Sequence, residues 1–243
     1  MDVRIFQTPE ETARALAAHV AAAVRAKPDL VLGLATGRSP VAAYGELQTL
    51  HARGEVDFSR VRTFNLDEFA GVDAAHAGSF RRFMDEHLFR GVALDPSRIQ
   101  FLNGVASDLD AECDRYEAAI AEAGGIDLQL LGIGANGHVG FNEPGDELTA
   151  RTHRVLLHES TRRDNAALFG GEIGRVPREA LSMGMATILT AAAIVLIATG
   201  ERKAACVQGM IGGPLTTRLP ASFLQTHRQV TVFLDRAAAS RLT

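Results

Sequence analysis

Eight short β-branched or aliphatic runs are spaced along this chain, and some, LVLGLA and AIVLIA among them, are apolar at successive positions instead of alternating with polar residues. They read VRIF, LVLGLA, VRTFNL, RIQFL, IDLQLLGI, HRVLLH, AIVLIAT and QVTVFL, and most are separated by Ala- and Glu-rich stretches of helical period. A strand of this kind must be covered on both faces. Helical crossovers provide that cover when they join parallel strands. The pattern therefore predicts an α/β fold with a largely parallel sheet. No shift in composition marks a linker, so a single domain is expected over residues 1–243. The first helix is marked by Thr8 as N-cap, Pro9 at its first position and Glu11 closing a capping box, which makes it scaffold.

Several classes of function are disfavoured. A formal charge of −4 with scattered Lys and Arg gives no basic face for nucleic acid. The longest apolar stretch, residues 191–198, is too short to span a bilayer, so no membrane role is expected. The start of the chain lacks a charged segment followed by an apolar one, and Cys113 and Cys206, both in helical contexts, form no disulfide framework. A cytoplasmic location is expected.

In parallel α/β sheets, ligands sit outside the carboxyl ends of the strands. Four loops meet that condition: residues 36–40, 67–69, 134–145 and 199–204. In the first, Gly37 allows close backbone approach, Thr36 and Ser39 offer hydroxyls, and the following helix start favours an anion such as phosphate. An ordinary turn capped by Ser39 would have the same sequence. No Gly-Lys-Ser/Thr follows, so this is not a nucleoside-triphosphate loop. Lys203, after a second Thr-Gly turn, and Arg162 could add cations. Asp67 and Glu68 follow a strand among Phe64, Leu66 and Phe69. One of the two is a candidate general base in a desolvated setting, and the other could cap the next segment.

The stretch LLGIGANGHVGFNEPG contains G-x-G-x-x-G at Gly132, Gly134 and Gly137. A dinucleotide site would need a helix after the last glycine, but Gly140, Pro144 and Gly145 would break one. A catalytic loop accounts for more of the residues. His138 can transfer protons near neutral pH, and Asn136 and Glu143 can fix its tautomer. No second His or Cys stands at a ligand spacing, so no metal is expected.

Taken together, VLGLATGRSP, TFNLDEFAG, GSFRRFM, LNG, AECDRYE, LLGIGANGHVGFNEPG, ESTRRDNA, LSMGMATIL, TGERKA and PASFLQTH resemble the glucosamine-6-phosphate deaminase (isomerase) family over nearly the whole chain. The resemblance implies a Rossmann-like three-layer α/β/α sandwich. It also implies conversion of glucosamine 6-phosphate and water to fructose 6-phosphate and ammonia, with neither metal nor organic cofactor. Asp67 would move a proton between C2 and C1. His138, with Glu143 and Asn136 as partners, would open the sugar ring. Thr36, Gly37, Arg38, Ser39, Arg162 and Lys203 would hold the 6-phosphate. Many members carry Asp at position 136, whereas a shorter bacterial branch carries Asn. Arg38 stands where the phosphate loop usually has Gly or Ser.

The sister 6-phosphogluconolactonases share related loops, so lactone hydrolysis is the enzymatic alternative, and a non-catalytic sugar-phosphate-binding regulator is another. The longer, hexameric branch is activated by N-acetylglucosamine 6-phosphate at a subunit interface. Here Asp146 and Glu147 follow FNEPG, Val155 replaces a basic residue, and the chain ends at Thr243, soon after its last strand. The expectation is a monomer or small homo-oligomer without activation, whose partner is a small amino-sugar phosphate.

Overall fold

The computed structural model describes residues 1–242, and Thr243 lies outside the described residues. In chain order the elements are β1 (Asp2–Phe6), α1 (Pro9–Ala26), β2 (Val31–Leu34), α2 (Arg38–Ala52), β3 (Arg62–Asn65), β4 (Asp67–Phe69), α3 (Phe80–His87), β5 (Ile99–Gln100), α4 (Leu109–Glu122) and β6 (Leu128–Leu131). They continue with β7 (His153–Leu156), α5 (Glu159–Asn165), β8 (Glu179–Ser182), α6 (Met185–Leu189), β9 (Ala193–Ala198), α7 (Ala204–Gly212) and β10 (Val230–Asp235). Seven strands form one sheet in the order β1-β10-β9-β6-β2-β3-β5, and every pair in it is parallel.

The two faces of this sheet are buried against different helices, as the continuous apolar runs require. Along β9, Val195 and Ile197 point into a core with Leu16 and Val20 of α1 and Tyr44 and Leu47 of α2. Ile194 and Leu196 point the other way, into a core with Tyr116 of α4, Ile188 of α6 and Val207 of α7. The result is a three-layer α/β/α sandwich. Thr8 caps α1 by accepting from the Glu11 amide, and Pro9 occupies the first turn, as the sequence indicates. No helix among the described residues is long and apolar enough to cross a membrane.

Strand order locates the crevice. The chain runs from β2 outward through β3 to β5, then returns to place β6 on the opposite side of β2. After β2 it enters α2 on the first face, while Ile133 and Val139 after β6 pack into the core of the second. The loops following β2 and β6 therefore part at the carboxyl ends of the strands, the place where sheets of this kind bind ligands.

The run HRVLLH was expected in the main sheet, but β7 belongs to a separate antiparallel sheet of order β4-β8-β7. The sequence reading did not anticipate β4 or β8. β4 has three residues, two of them acidic, and β8 lies in REALS, a string of good helix formers. Pairing to neighbours on both sides outweighs that propensity. The small sheet is held against the main body at Gly104, where a β-carbon would come within 2.1 Å of the Phe69 carbonyl oxygen and 3.0 Å of that of Val72. The Gly104 carbonyl itself accepts from the Gly71 amide at 2.7 Å. Gly104→Ala must displace backbone, so it should lower the unfolding free energy by about 1–3 kcal/mol, read as a lower urea midpoint at unchanged m-value.

Candidate active site

Asp67 sits at the junction of the two sheets. Beyond the end of β3, the Leu66 amide still donates to the Leu34 carbonyl, and the Leu66 carbonyl accepts from Met183 at 2.7 Å, so the chain leaves the parallel sheet and enters β4 within one residue. Asp67 pairs with Ser182 and is only 5% exposed. Its Oδ1 lies 3.5 Å from the Thr36 hydroxyl, and a β-carbon added at Gly140 would lie 3.6 Å from its Oδ2. The loops after β2, β3 and β6 thus meet at one carboxyl group. Burial lifts that carboxyl to about 8, with the neighbouring Glu68 charge adding and the Thr36 hydroxyl opposing.

Glu68 is buried as well, but its oxygens are fully engaged. Oε1 accepts from the Phe69 and Phe80 amides, and Oε2 from the Ser79 hydroxyl and the Arg81 amide, all at 2.8–3.0 Å. It caps α3. Burial pushes this carboxyl up while the four donors pull it back.

After β6 the chain makes no helix through residue 152, so the literal G-x-G-x-x-G does not form a dinucleotide cradle. Its glycines shape the loop instead. A β-carbon at Gly134 would lie 2.4–2.6 Å from atoms of the His138 ring, so the imidazole occupies that space. Gly137 takes a positive φ of 89° and donates to the Gly134 carbonyl, closing the turn. Nδ1 of His138 faces Oε2 of Glu143 at 3.5 Å and the Thr161 hydroxyl at 3.5 Å. Asn136 does not reach the imidazole. Its amide donates to Glu143 Oε2 at 3.0 Å, and its oxygen accepts from the His138 main-chain N–H at 3.2 Å, so it acts on His138 through the carboxylate and the backbone. Burial opposes ionisation of Glu143, yet His138, Thr161 and Asn136 outweigh it and hold the carboxyl at about 2.

The two Thr-Gly turns share a backbone form. Gly37 caps α2 at φ 119°, ψ 177°, and Gly200 caps the 3-10 turn of residues 201–203 at φ 87°, ψ 148°, a region essentially restricted to glycine. No side chain caps α2, and Ser39 lies within its first turn, not at the cap. Thr36 is partly buried, and Arg38 is exposed beside it. The Gly200 amide is held by both carboxylate oxygens of Asp235, at 3.0 and 3.1 Å. Burial lowers the Lys203 ammonium from its usual range. Cys206 and Asp164 raise it again, while the Arg202 and Arg38 cations lower it, which puts Arg38 within electrostatic reach of Lys203. Arg162 is engaged elsewhere: its guanidinium donates to the carbonyls of Ile173 at 2.8 Å and Val176 at 3.0 Å. The sequence reading also missed His158, whose Nδ1 lies 3.6 Å from Glu143 Oε2. No spacing relative to the glycine loop signals it. A concavity of about 770 Å³ lies away from all these residues, between β1 and α7.

The model of the family described as glucosamine-6-phosphate isomerases/6-phosphogluconolactonase matches residues 7–233. The chain belongs to that family. It is 49% identical over 243 residues to glucosamine-6-phosphate deaminase 2 of Bacillus subtilis (strain 168), covering 100% of this chain and 98% of that protein. It is 46% identical over 242 residues to the glucosamine-6-phosphate deaminase of Halothermothrix orenii, covering 100% of both. A solved structure of a monomeric glucosamine-6-phosphate deaminase superposes with a TM-score of 0.95 at 44% identity over 99% of each chain. The 6-phosphogluconolactonase of Trypanosoma cruzi, with a TM-score of 0.79 at 21% identity over 100% of this chain and 97% of its own, shares the fold.

The buried Asp67 carboxyl has a consequence for stability. Because its value rises from 3.8 to about 8 on folding, the fold favours the neutral acid over the ionised one. Stability is unaffected below pH ~4 and is lost progressively as pH rises toward 8. Asp67→Asn, which cannot ionise, should be more stable than wild type by about 1–2 kcal/mol at neutral pH. That difference should vanish near pH 4 and grow between pH 4 and 8, as read by thermal denaturation across that range.

Proposed function

We propose that the protein deaminates glucosamine 6-phosphate, forming fructose 6-phosphate and ammonia. The observation that carries this reading is the sheltered Asp67 carboxyl, set beside Gly140 in the loop that carries the His138–Glu143 pair, in a chain 44–49% identical to proteins named as deaminases. The cyclic sugar has no acidic C2 proton, so ring opening comes first. His138 takes the proton from the anomeric hydroxyl and returns it to the ring oxygen, while Glu143, anionic at any working pH, holds the ring and balances its transient charge. Asp67 then removes the C2 proton and delivers it to C1, while one proton passes from the 2-amino group to the C1 oxygen so that the aldehyde becomes a hydroxymethyl group. The product is a 2-imino sugar, and water adds at C2 and expels ammonia. Only protons and water are exchanged, so the scheme needs no cofactor.

A value of about 8 suits a base working on carbon, provided the carboxyl is ionised once substrate is bound. The 2-ammonium group of the substrate would bring a positive charge beside Asp67 and favour the anion. The 6-phosphate is assigned to the Thr36, Gly37 and Ser39 backbone and hydroxyls, with Lys203 and Arg38 as cations, and to Arg162 once its guanidinium turns from the Ile173 and Val176 carbonyls. Lactone hydrolysis, the alternative, requires no base on carbon and leaves the burial of Asp67 without a purpose. We assign the protein to the cytoplasm as a monomer or small homo-oligomer, a reading supported by its similarity to the monomeric deaminase.

The purified protein should release ammonia and form fructose 6-phosphate from glucosamine 6-phosphate, at the same rate with and without EDTA. Asp67→Asn should lower kcat by roughly 10²–10⁴-fold with little change in KM, and should abolish exchange of the C2 proton with solvent. Hydrolysis of 6-phosphogluconolactone without ammonia release would favour the alternative. Asp146 is ion-paired to Arg218, and Glu147 is exposed beside it, so this surface offers an activator phosphate two carboxylates and one neutralised cation. Saturation should be hyperbolic, unchanged by N-acetylglucosamine 6-phosphate, and light scattering should give a mass below that of a hexamer. A sigmoidal curve abolished by that ligand would reverse this expectation.

A further inference from the structure

His158 occupies the N-cap position of α5 but does not cap the helix, because its side chain accepts no hydrogen bond from the first turn. The residue is turned toward Glu143 instead. Its main-chain N–H donates to Oε1 at 3.2 Å, and its Nδ1 stands 3.6 Å from Oε2. Oε2 is also the oxygen that faces His138 Nδ1 at 3.5 Å and accepts from Asn136 at 3.0 Å. One carboxylate therefore lies between two imidazoles, the His138 ring 19% exposed at the floor and the His158 ring 49% exposed at the rim. No group of three His, Cys, Asp or Glu among the described residues is arranged to hold a metal ion, so this is not a ligand set.

Building on the deaminase reading, we propose that His158 is a positioning residue for ring opening, acting through Glu143 to orient and charge-balance the carboxylate that serves His138. Asn136 brings no charge to Oε2, whereas the second imidazole, like that of His138, faces that oxygen directly. Other charges near His158 are disposed differently. Glu159 is exposed and ion-paired to Arg163, and the Arg162 guanidinium is turned to the Ile173 and Val176 carbonyls. Arg178 contributes its carbonyl to the adjoining Leu157 amide. The two imidazole contacts are longer than a hydrogen bond, as catalytic contacts commonly are before substrate tightens them.

The test is a double-mutant cycle between His158→Ala and Glu143→Gln. The alanine variant keeps the main-chain N–H that holds Oε1, so it removes the ring alone. In the wild-type background it should lower kcat about tenfold with KM changed less than about twofold, the size of one hydrogen bond to a charged acceptor. In the Glu143→Gln background the same change should cost less than about twofold, because a residue acting through Glu143 loses its route. His158→Asn, which can place an amide donor near the Nδ1 position, should recover most of the loss, and melting temperatures should match wild type. Equal losses in both backgrounds, or none in the wild-type background, would overturn the proposal while leaving the deaminase reading intact. So would a loss that tracks a fall in melting temperature. A wild-type chain that releases no ammonia would overturn both.

Discussion

The site is built around one unfavourable act, the burial of the Asp67 carboxyl where two sheets join. An isolated carboxylate resists such a place, and the surroundings are arranged so that the group cannot move out of it. Leu66 is bonded on one side to β2 and on the other to Met183 beyond β8. The only two tyrosines in the chain reach the same strand ends from opposite faces: Tyr44 of α2 donates to the Ala35 carbonyl, and Tyr116 of α4 donates to that of Asn65 at 2.7 Å. Each holds the backbone one or two residues before a site residue, Thr36 in the first case and Asp67 in the second. Strain that would relax a flexible loop is here opposed by both helical layers.

Three neighbouring acids are driven to different ends by what surrounds them. Glu68 has four donors and becomes a helix cap. Glu143 has an imidazole, a hydroxyl and an amide, which hold it ionised despite burial. Asp67 has a single long contact to Thr36, so burial dominates and its carboxyl rises to about 8. Proton transfer at carbon and stabilisation of a transient imidazolium, the two tasks of the proposed mechanism, ask for opposite properties, and these carboxyl groups are separated in that sense.

Much of the architecture was legible because continuous apolar runs leave few alternatives to strands buried on both faces. The first helix, the parallel sheet and the glycine-shaped loop follow from capping residues, run length and the breakers at Gly140, Pro144 and Gly145. β4 and β8 were not legible, because their pairing comes from residues more than 100 positions apart, as in Asp67 with Ser182. The distinct fates of Asp67 and Glu68 were equally hidden. Three of the four donors that occupy Glu68 lie 11 to 13 residues further on, in Ser79, Phe80 and Arg81. Asn136 and Glu143 were legible as partners of His138, but not the route by which position 136 acts, and His158 gave no signal. Side chains that act through a carboxylate shared in space leave no periodicity in sequence.

The repeated Thr-Gly turn shows how topology and local geometry combine. Gly37 follows β2 and Gly200 follows β9, with β6 between those strands, so the two turns flank the loop that carries His138. Each glycine adopts a backbone form that a side chain would strain, and each opens directly into a helical turn. One turn is left without a side-chain cap beside Arg38, while the other leads within three residues to Lys203. The uncapped start of α2 with Arg38 and the Lys203 cation thus stand on either side of β6. A phosphate held between them would keep the far end of a sugar chain fixed, leaving the reacting end to fall between His138 and Asp67, one on the loop after β6 and the other at the end of β3. On the proposed reading, that order of strands, and not any single loop, is what would bring phosphate recognition, ring opening and proton transfer at carbon to the same side of the sheet.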